Sequence, residues 1–138
     1  MLNASFELQL SEALRHVEEA LHDLPMQVGG IIAQEIHRNT EDLSRSPDGT
    51  AFTPYSPKYI PKRQRYGLRT DRVDLHFTGR YIHSIQPRRE GSDVYVSPGE
   101  EFEKQALGLN RLRPHIGISP EVPQLVEAML EKVIGGLL

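Results

Sequence analysis

Cysteine and tryptophan are both missing from the 138 residues, aromatic residues make up 7%, and hydrophobic residues of all kinds only 38%. The first absence excludes disulfides and thiolate metal sites and is compatible with a reducing compartment. The shortage of large apolar side chains implies a thin core, because compact domains draw closer to half their residues from that set. A thin core gains most from neighbours, so an oligomer is expected rather than a robust monomer. No stretch approaches the ~20 continuous apolar residues of a membrane span. The opening residues carry Glu7 and no basic flank, so no secretory signal is expected either. The length fits one domain, 1–138.

Catalytic signatures are equally scarce. There is no phosphate-binding glycine loop, dinucleotide fingerprint or G-x-S-x-G elbow, and Ser84 has no evident His and acid partners. Six histidines are scattered along the chain; His76 and His83 flank Gly79, but no further ligands stand at a familiar metal spacing. Asp71 and Asp74, three apart, could bind Mg²⁺ in a nuclease, yet Arg69 and Arg72 interleave with them, so local charge pairing is the better account. The chain is read as non-enzymatic, with no catalytic residue, cofactor or metal.

What is present is a segregated charge field. Up to residue 45 the acids Glu7, Glu12, Glu18, Glu19, Asp23, Glu35, Glu41 and Asp42 outnumber Arg15, Arg38 and Arg45. Between 58 and 89 the balance reverses: Lys58, Lys62, Arg63, Arg65, Arg69, Arg72, Arg80, Arg88 and Arg89 face only Asp71 and Asp74. Such a field attracts a polyanion or the acidic face of another subunit.

The periodicity predicts an α+β fold: a small antiparallel sheet packed by an N-terminal helical hairpin and a C-terminal helix, with a long irregular basic arm. FELQL (6–10) has strand character, but Ser11-Glu12 reads as a helix start, and Leu10, Leu14, Val17, Leu21 and Leu24 then form an apolar stripe. Pro25 separates this helix from a second one carrying Val28, Ile31, Ile32 and Ile36, in which Gly29-Gly30 allows close packing or a bend. SPDGT (46–50) is a turn, and 51–72, punctuated by Pro54, Pro57, Pro61 and Gly67, is the arm. DLHF (74–77) alternates like a strand. After Thr78-Gly79, Tyr81, Ile82 and Ile85 recur with helical spacing, Thr78 being placed to accept from the first turn. Arg88 to Ser92 reads as a hairpin turn and VYVSP (94–98) as the return strand. A weak helix over 101–109, an extended RPHIGIS (113–119) and a final helix ending at Gly135-Gly136 complete the chain.

Three stretches in order resemble the phage virion-morphogenesis proteins of the tail-completion or neck type. DGTAFTPYSPKY (48–59) is similar to that family's Gly-x-x-(aromatic)-x-Pro-Leu-Ser-Pro, with Gly49, Pro54 and Ser56 in register and Tyr55 where Leu is usual. DLHFTGRYIHSI (74–85) is similar to Leu-x-x-Thr-Gly-Arg-(apolar)-x-x-Ser-Ile, through Thr78, Gly79 and Arg80. RPHIGIS is similar to Arg-Pro-Phe-(apolar)-Gly-(apolar)-Ser through Arg113, Pro114 and Gly117, with His115 in place of Phe. EEFEKQALGLN (100–110) departs from the family pattern.

The resemblance implies a structural protein that assembles as a homo-oligomeric ring, commonly a hexamer, at the neck or the head-proximal end of a phage tail. Its partners would be copies of itself, other neck or connector proteins, and tail terminator or tail tube proteins. Double-stranded DNA would pass through the channel; no membrane is involved, and assembly takes place in the host cytoplasm. Lys58, Lys62, Arg63, Arg65, Arg69, Arg72 and Arg80 are the candidate intersubunit or channel contacts. Independently of any family, PKYIPKRQRYGLR (57–69) has the cation and aromatic mixture of a nucleic-acid-binding segment, so a small binding module using 57–72 is the alternative.

Overall fold

The computed structural model describes residues 4–137, with side chains from residue 9 onward except Leu10. It is α+β, as the periodicity indicates, but the helical hairpin expected at the N-terminus is one helix, α1, running Ala4–His37. FELQL is therefore helical and not a strand. The Leu10 side chain of the apolar stripe lies outside the described residues. Pro25 sits inside α1, where it removes one backbone donor and pushes on carbonyls one turn earlier. The carbonyl left without that donor is that of Leu21, four residues back; on the next residue, Arg89 Nη2 donates to the carbonyl oxygen of His22 at 2.9 Å. At its C-terminal end α1 widens into a π turn, Arg38–Asp42, whose Asn39 and Thr40 are buried.

The SPDGT turn forms by the expected means. Gly49 takes φ +93, and Asp48 Oδ1 accepts from Thr50 N at 2.9 Å, a bond that holds the Asp48 carboxyl below its ordinary range. The arm contains a helix that the prolines conceal: α2, Ile60–Arg65, begins with Pro61 in its first turn, where the missing N–H has no consequence.

Residues 74–77 form no strand. Asp74 Oδ1 accepts from His76 N at 2.9 Å, Leu75 is left-handed at φ +53, and Arg63 Nη1 takes the His76 carbonyl at 3.0 Å. These bonds occupy the backbone that a ladder needs. Phe77 leaves the core and meets Tyr66 edge to face, with centroids 5.2 Å apart. Gly79 then turns the chain at φ +86 into the short α3, Arg80–His83; Thr78 Oγ1 accepts from Arg80 N at 3.2 Å. That delivers Tyr81, Ile82 and Ile85 to the core, 5%, 0% and 0% exposed.

The sheet is a single hairpin, with Gln86 opposite Ser97 and Glu90 opposite Asp93 in β1 (Gln86–Glu90) and β2 (Asp93–Ser97). The reversal is the two-residue Gly91-Ser92, with Gly91 at φ +62, so Arg88, Arg89 and Glu90 belong to the strand and not to the turn. α1 lies across both strands and against the last helix, α5 (Val122–Leu137), which runs through Gly135-Gly136. Gly29 makes the crossing close: a Cβ there would stand 2.8 Å from Pro87 Cβ and 3.2 Å from Val94 Cγ1, whereas Gly30 faces open space. A 3₁₀ turn (Glu100–Phe102) leads into α4, Glu103–Leu112, whose Ala106 closes the cluster of Ile36, Tyr81, Ile82 and Ile85. RPHIGIS is irregular: Ile116 packs on that cluster while Ile118 is exposed. Among the described residues the interior holds nine apolar and eight polar or charged side chains, so hydrogen bonds fix its register as much as packing does. No described helix is long and apolar enough to cross a membrane.

Candidate functional site

The three sequence stretches converge on Tyr55. Arg113, which ends α4, donates from Nε to the Thr53 carbonyl at 2.7 Å and from Nη2 to the Pro54 carbonyl at 3.0 Å. Its guanidinium lies 5.2 Å from the centre of the Tyr55 ring, and that of Arg63 lies 4.4 Å from it. Arg63 is buried and donates to Arg69 O at 2.7 Å, His76 O at 3.0 Å and Asp74 Oδ1 at 3.0 Å. The Tyr55 hydroxyl donates to Asp74 at 3.4 Å and accepts from Leu75 N at 3.2 Å; burial pushes its pKa up, against the pull of Arg63. Tyr55 is thus held at both ring and hydroxyl.

A second junction ties α3 to the third stretch. His115 is fully buried, and Nδ1–H donates to the Arg113 carbonyl at 2.8 Å. Nε2 is therefore an acceptor and takes the Tyr81 hydroxyl at 2.6 Å. Burial lowers the His115 pKa, partly offset by the Arg113 bond, and raises that of Tyr81 to about 12. Asn110 Oδ1 accepts from the backbone N–H of His115 at 2.9 Å and of Ile116 at 3.0 Å. Gly117 comes close to Pro47, to which a Cβ would approach within 3.2 Å. Pro114 is exposed, and the Ser56 carbonyl starts the turn into α2 by accepting from Tyr59 N at 2.9 Å.

The predicted basic surface needs one correction. Arg63 is 1% exposed and spends its donors on the carbonyls of Arg69 and His76 and on Asp74, so it offers nothing to a partner. Lys58, Lys62, Arg65, Arg69, Arg72 and Arg80 are exposed. Arg69 pairs with Asp71 at 3.5 Å, Lys62 stands 5.7 Å from the Phe77 ring and Arg80 6.0 Å from that of Phe102. Both aspartates considered for a nuclease pair are held by arginines, Asp71 by Arg69 and Asp74 by Arg63. Ser84 is committed to backbone: its hydroxyl donates to Tyr81 O and accepts from Gly99 N at 3.0 Å.

The histidines are less scattered than the sequence implies. His37, His83 and His76 meet edge to face, with centroids 6.2 Å and 5.9 Å apart, and His83 Nε2 stands 3.3 Å from Glu41. His37 Nε2 donates to the Ile85 carbonyl at 3.0 Å. Among the described residues no group of three or more His, Asp or Glu side chains is arranged to hold a metal ion.

Between α2 with residues 75–79 on one side and α4 on the other runs an open groove. Its two recesses, of about 400 and 320 Å³, share Tyr59, Leu75, Phe77 and Gln105. Leu109 and Leu112 continue its apolar floor, and Lys62 stands at its edge. Sequence reading missed this groove, because its walls come from segments with no shared periodicity. No family model, curated protein or solved structure matches this chain.

Proposed function

We propose that this chain is a structural virion protein of a tailed bacteriophage, of the tail-completion or neck class, assembling head to tail into a ring for head–tail joining. The observation that carries the reading is the convergence of the three resembling stretches. Arg113 from the third binds carbonyls of the first, and Tyr81 from the second binds His115 of the third. Segments 34 to 60 residues apart that act as one hydrogen-bonded unit support a common origin better than three chance matches do. The polar interior and exposed apolar residues such as Leu14, Leu21, Leu112 and Ile134 favour a subunit that is completed by its neighbours. A ring of identical copies needs two unlike, complementary faces, and the acidic α1 and the exposed cations of 58–80 are such a pair. Negative-stain images and native mass spectrometry of the purified chain test the reading: closed rings of one size are expected. A monomer at high concentration, together with absence of the chain from purified virions, would overturn it.

A second reading has one specific observation in its favour. Tyr66 is 61% exposed between Arg65 and the arm's other cations, a disposition suited to stacking on an unpaired base. In that case the isolated chain binds single-stranded DNA or RNA with an affinity that falls steeply with salt.

A further inference from the structure

We infer that the ring contact, resting on the assembly just proposed, is made by the exposed N-terminal half of α1 seated in the groove between α2 and α4 of the next copy. The helix has 34 residues, about 51 Å at 1.5 Å per residue. Yet every described side chain from Gln9 to Glu19 is exposed, so among the described residues this stretch contributes nothing to the core of its own chain. Its apolar stripe is nevertheless continuous: Leu14, Val17 and Leu21 are 56%, 38% and 62% exposed at three- and four-residue spacing. A stripe of that kind on a solvent-facing helix is an anchor row for a groove.

Charge selects which groove. Glu12, Glu18, Glu19 and Asp23 surround the stripe, and its single arginine, Arg15, is already drawn to Glu19 at 3.9 Å. The recess beside α1 and β2 is apolar but carries Asp93 and no cation. The α2–α4 groove has an apolar floor of Tyr59, Leu75, Phe77, Leu109 and Leu112, with Lys62 at its edge, the exposed Arg65 on α2, and the exposed Lys58 and Arg80 next in sequence to the segments that form it. Lengths agree as well: Leu14 to Leu21 spans roughly 10 Å and the ten residues of α4 roughly 15 Å. The occupant is thus a second copy, and because stripe and groove are different surfaces the contact repeats and does not pair off.

Two variants of the full chain separate this contact from its rivals. L14D/L21D removes the stripe and keeps the groove; K62E/L112D spoils the groove and keeps the stripe. All four positions are exposed, so circular dichroism should match wild type for both. By sedimentation velocity each variant alone should associate at least roughly 30-fold more weakly than wild type, the loss of a hot-spot residue. Mixed together they should form one-to-one dimers and stop there, since the pair retains one good stripe and one good groove. If K62E/L112D assembles like wild type, a stripe-to-stripe zipper is operating and the inference fails. If L14D/L21D still builds rings, the ring proposal stands but its contact lies elsewhere. Two folded variants that do not combine also overturn the inference, and a wild-type chain that stays monomeric overturns it together with the ring.

Discussion

The Tyr81 hydroxyl and His115 Nε2 lie 2.6 Å apart with both rings buried, and this bond joins the short helix α3 to the loop before α5. Burial favours the neutral form of both groups: the imidazole keeps its proton at Nδ1, on the Arg113 carbonyl, and accepts a hydrogen bond from the phenol at Nε2. The His115 pKa is lowered in the folded chain, from 6.5. Below that value the unfolded chain takes up a proton that the folded chain refuses. Stability is therefore fully present above about pH 6.5 and declines as the pH falls toward the lower folded value, by up to about 1.4 kcal/mol per pH unit. At the alkaline end Tyr81 acts oppositely: the unfolded phenol ionises from about 10 while the folded one resists to about 12, so stability falls across that interval. Urea titrations at a series of pH values check both limbs. His115→Phe should flatten the acid limb and cost about 1–3 kcal/mol by orphaning the Tyr81 hydroxyl; adding Tyr81→Phe should return part of that loss.

Arg63 separates structure from surface within one basic run. Its three hydrogen-bonded groups and its place over Tyr55 make it the strut of the arm, while Lys62 and Arg65 on either side are exposed. Arg63→Met strands the Asp74 carboxylate and three carbonyl or ring partners, and should destabilise by about 3–5 kcal/mol in urea unfolding. Arg63→Lys should recover little, because an ammonium lacks the planar fork that reaches Arg69, His76 and Asp74 together. Lys62→Glu and Arg65→Glu should each stay within about 0.5 kcal/mol of wild type while changing assembly. A stable Arg63→Met would refute the strut.

That contrast marks the boundary of what the sequence discloses. Periodicity placed Tyr81, Ile82 and Ile85 in the core and Val94 and Val96 on the strand face that meets α1, because a repeat of apolar residues is a local signal. The arginines are different. Whether Arg63 or Arg113 is solvated depends on carbonyls 6 to 60 residues away, and a count of charges treats both like Lys58. The missed N-terminal helix has the same cause: Pro25 reads as a break, yet α1 runs through it because it packs on a hairpin and a helix far along the chain. Likewise 74–77 alternates like a strand, but the competing bonds come from Tyr55 and Arg63, outside any window that contains it.

Gly29 and Gly30 are adjacent and should respond in opposite directions. A methyl at Gly29 lands 2.8 Å from Pro87 Cβ, where helix and hairpin must separate, so Gly29→Ala should cost about 1–3 kcal/mol. Gly30 meets nothing within 4 Å, and Gly30→Ala should stabilise by up to about 1 kcal/mol through helix propensity. Thermal unfolding of the two variants side by side checks the pair. Equal effects would mean that α1 does not cross the hairpin at Gly29.

Thr40 offers a substitution expected to strengthen the fold. Its side chain is 0% exposed, in the π turn that closes α1, and Oγ1 has no hydrogen-bond partner among the described residues. A buried hydroxyl that leaves water without a partner carries a cost of about 1–3 kcal/mol, while its methyl group packs like that of valine. Thr40→Val keeps the shape and the branching at Cβ and removes the unpaired oxygen, so it should raise stability by about 1 kcal/mol in urea unfolding. Thr40→Ser keeps the oxygen and deletes the methyl, and should lower stability by a similar amount. The neighbouring Asn39 is the control: its Oδ1 accepts from Arg45 Nε at 2.8 Å, so Asn39→Leu should destabilise even though its Nδ2 is also unpaired. If Thr40→Val proves as damaging as Asn39→Leu, the hydroxyl has a partner that matters, and the π turn is held by a polar contact and not by packing.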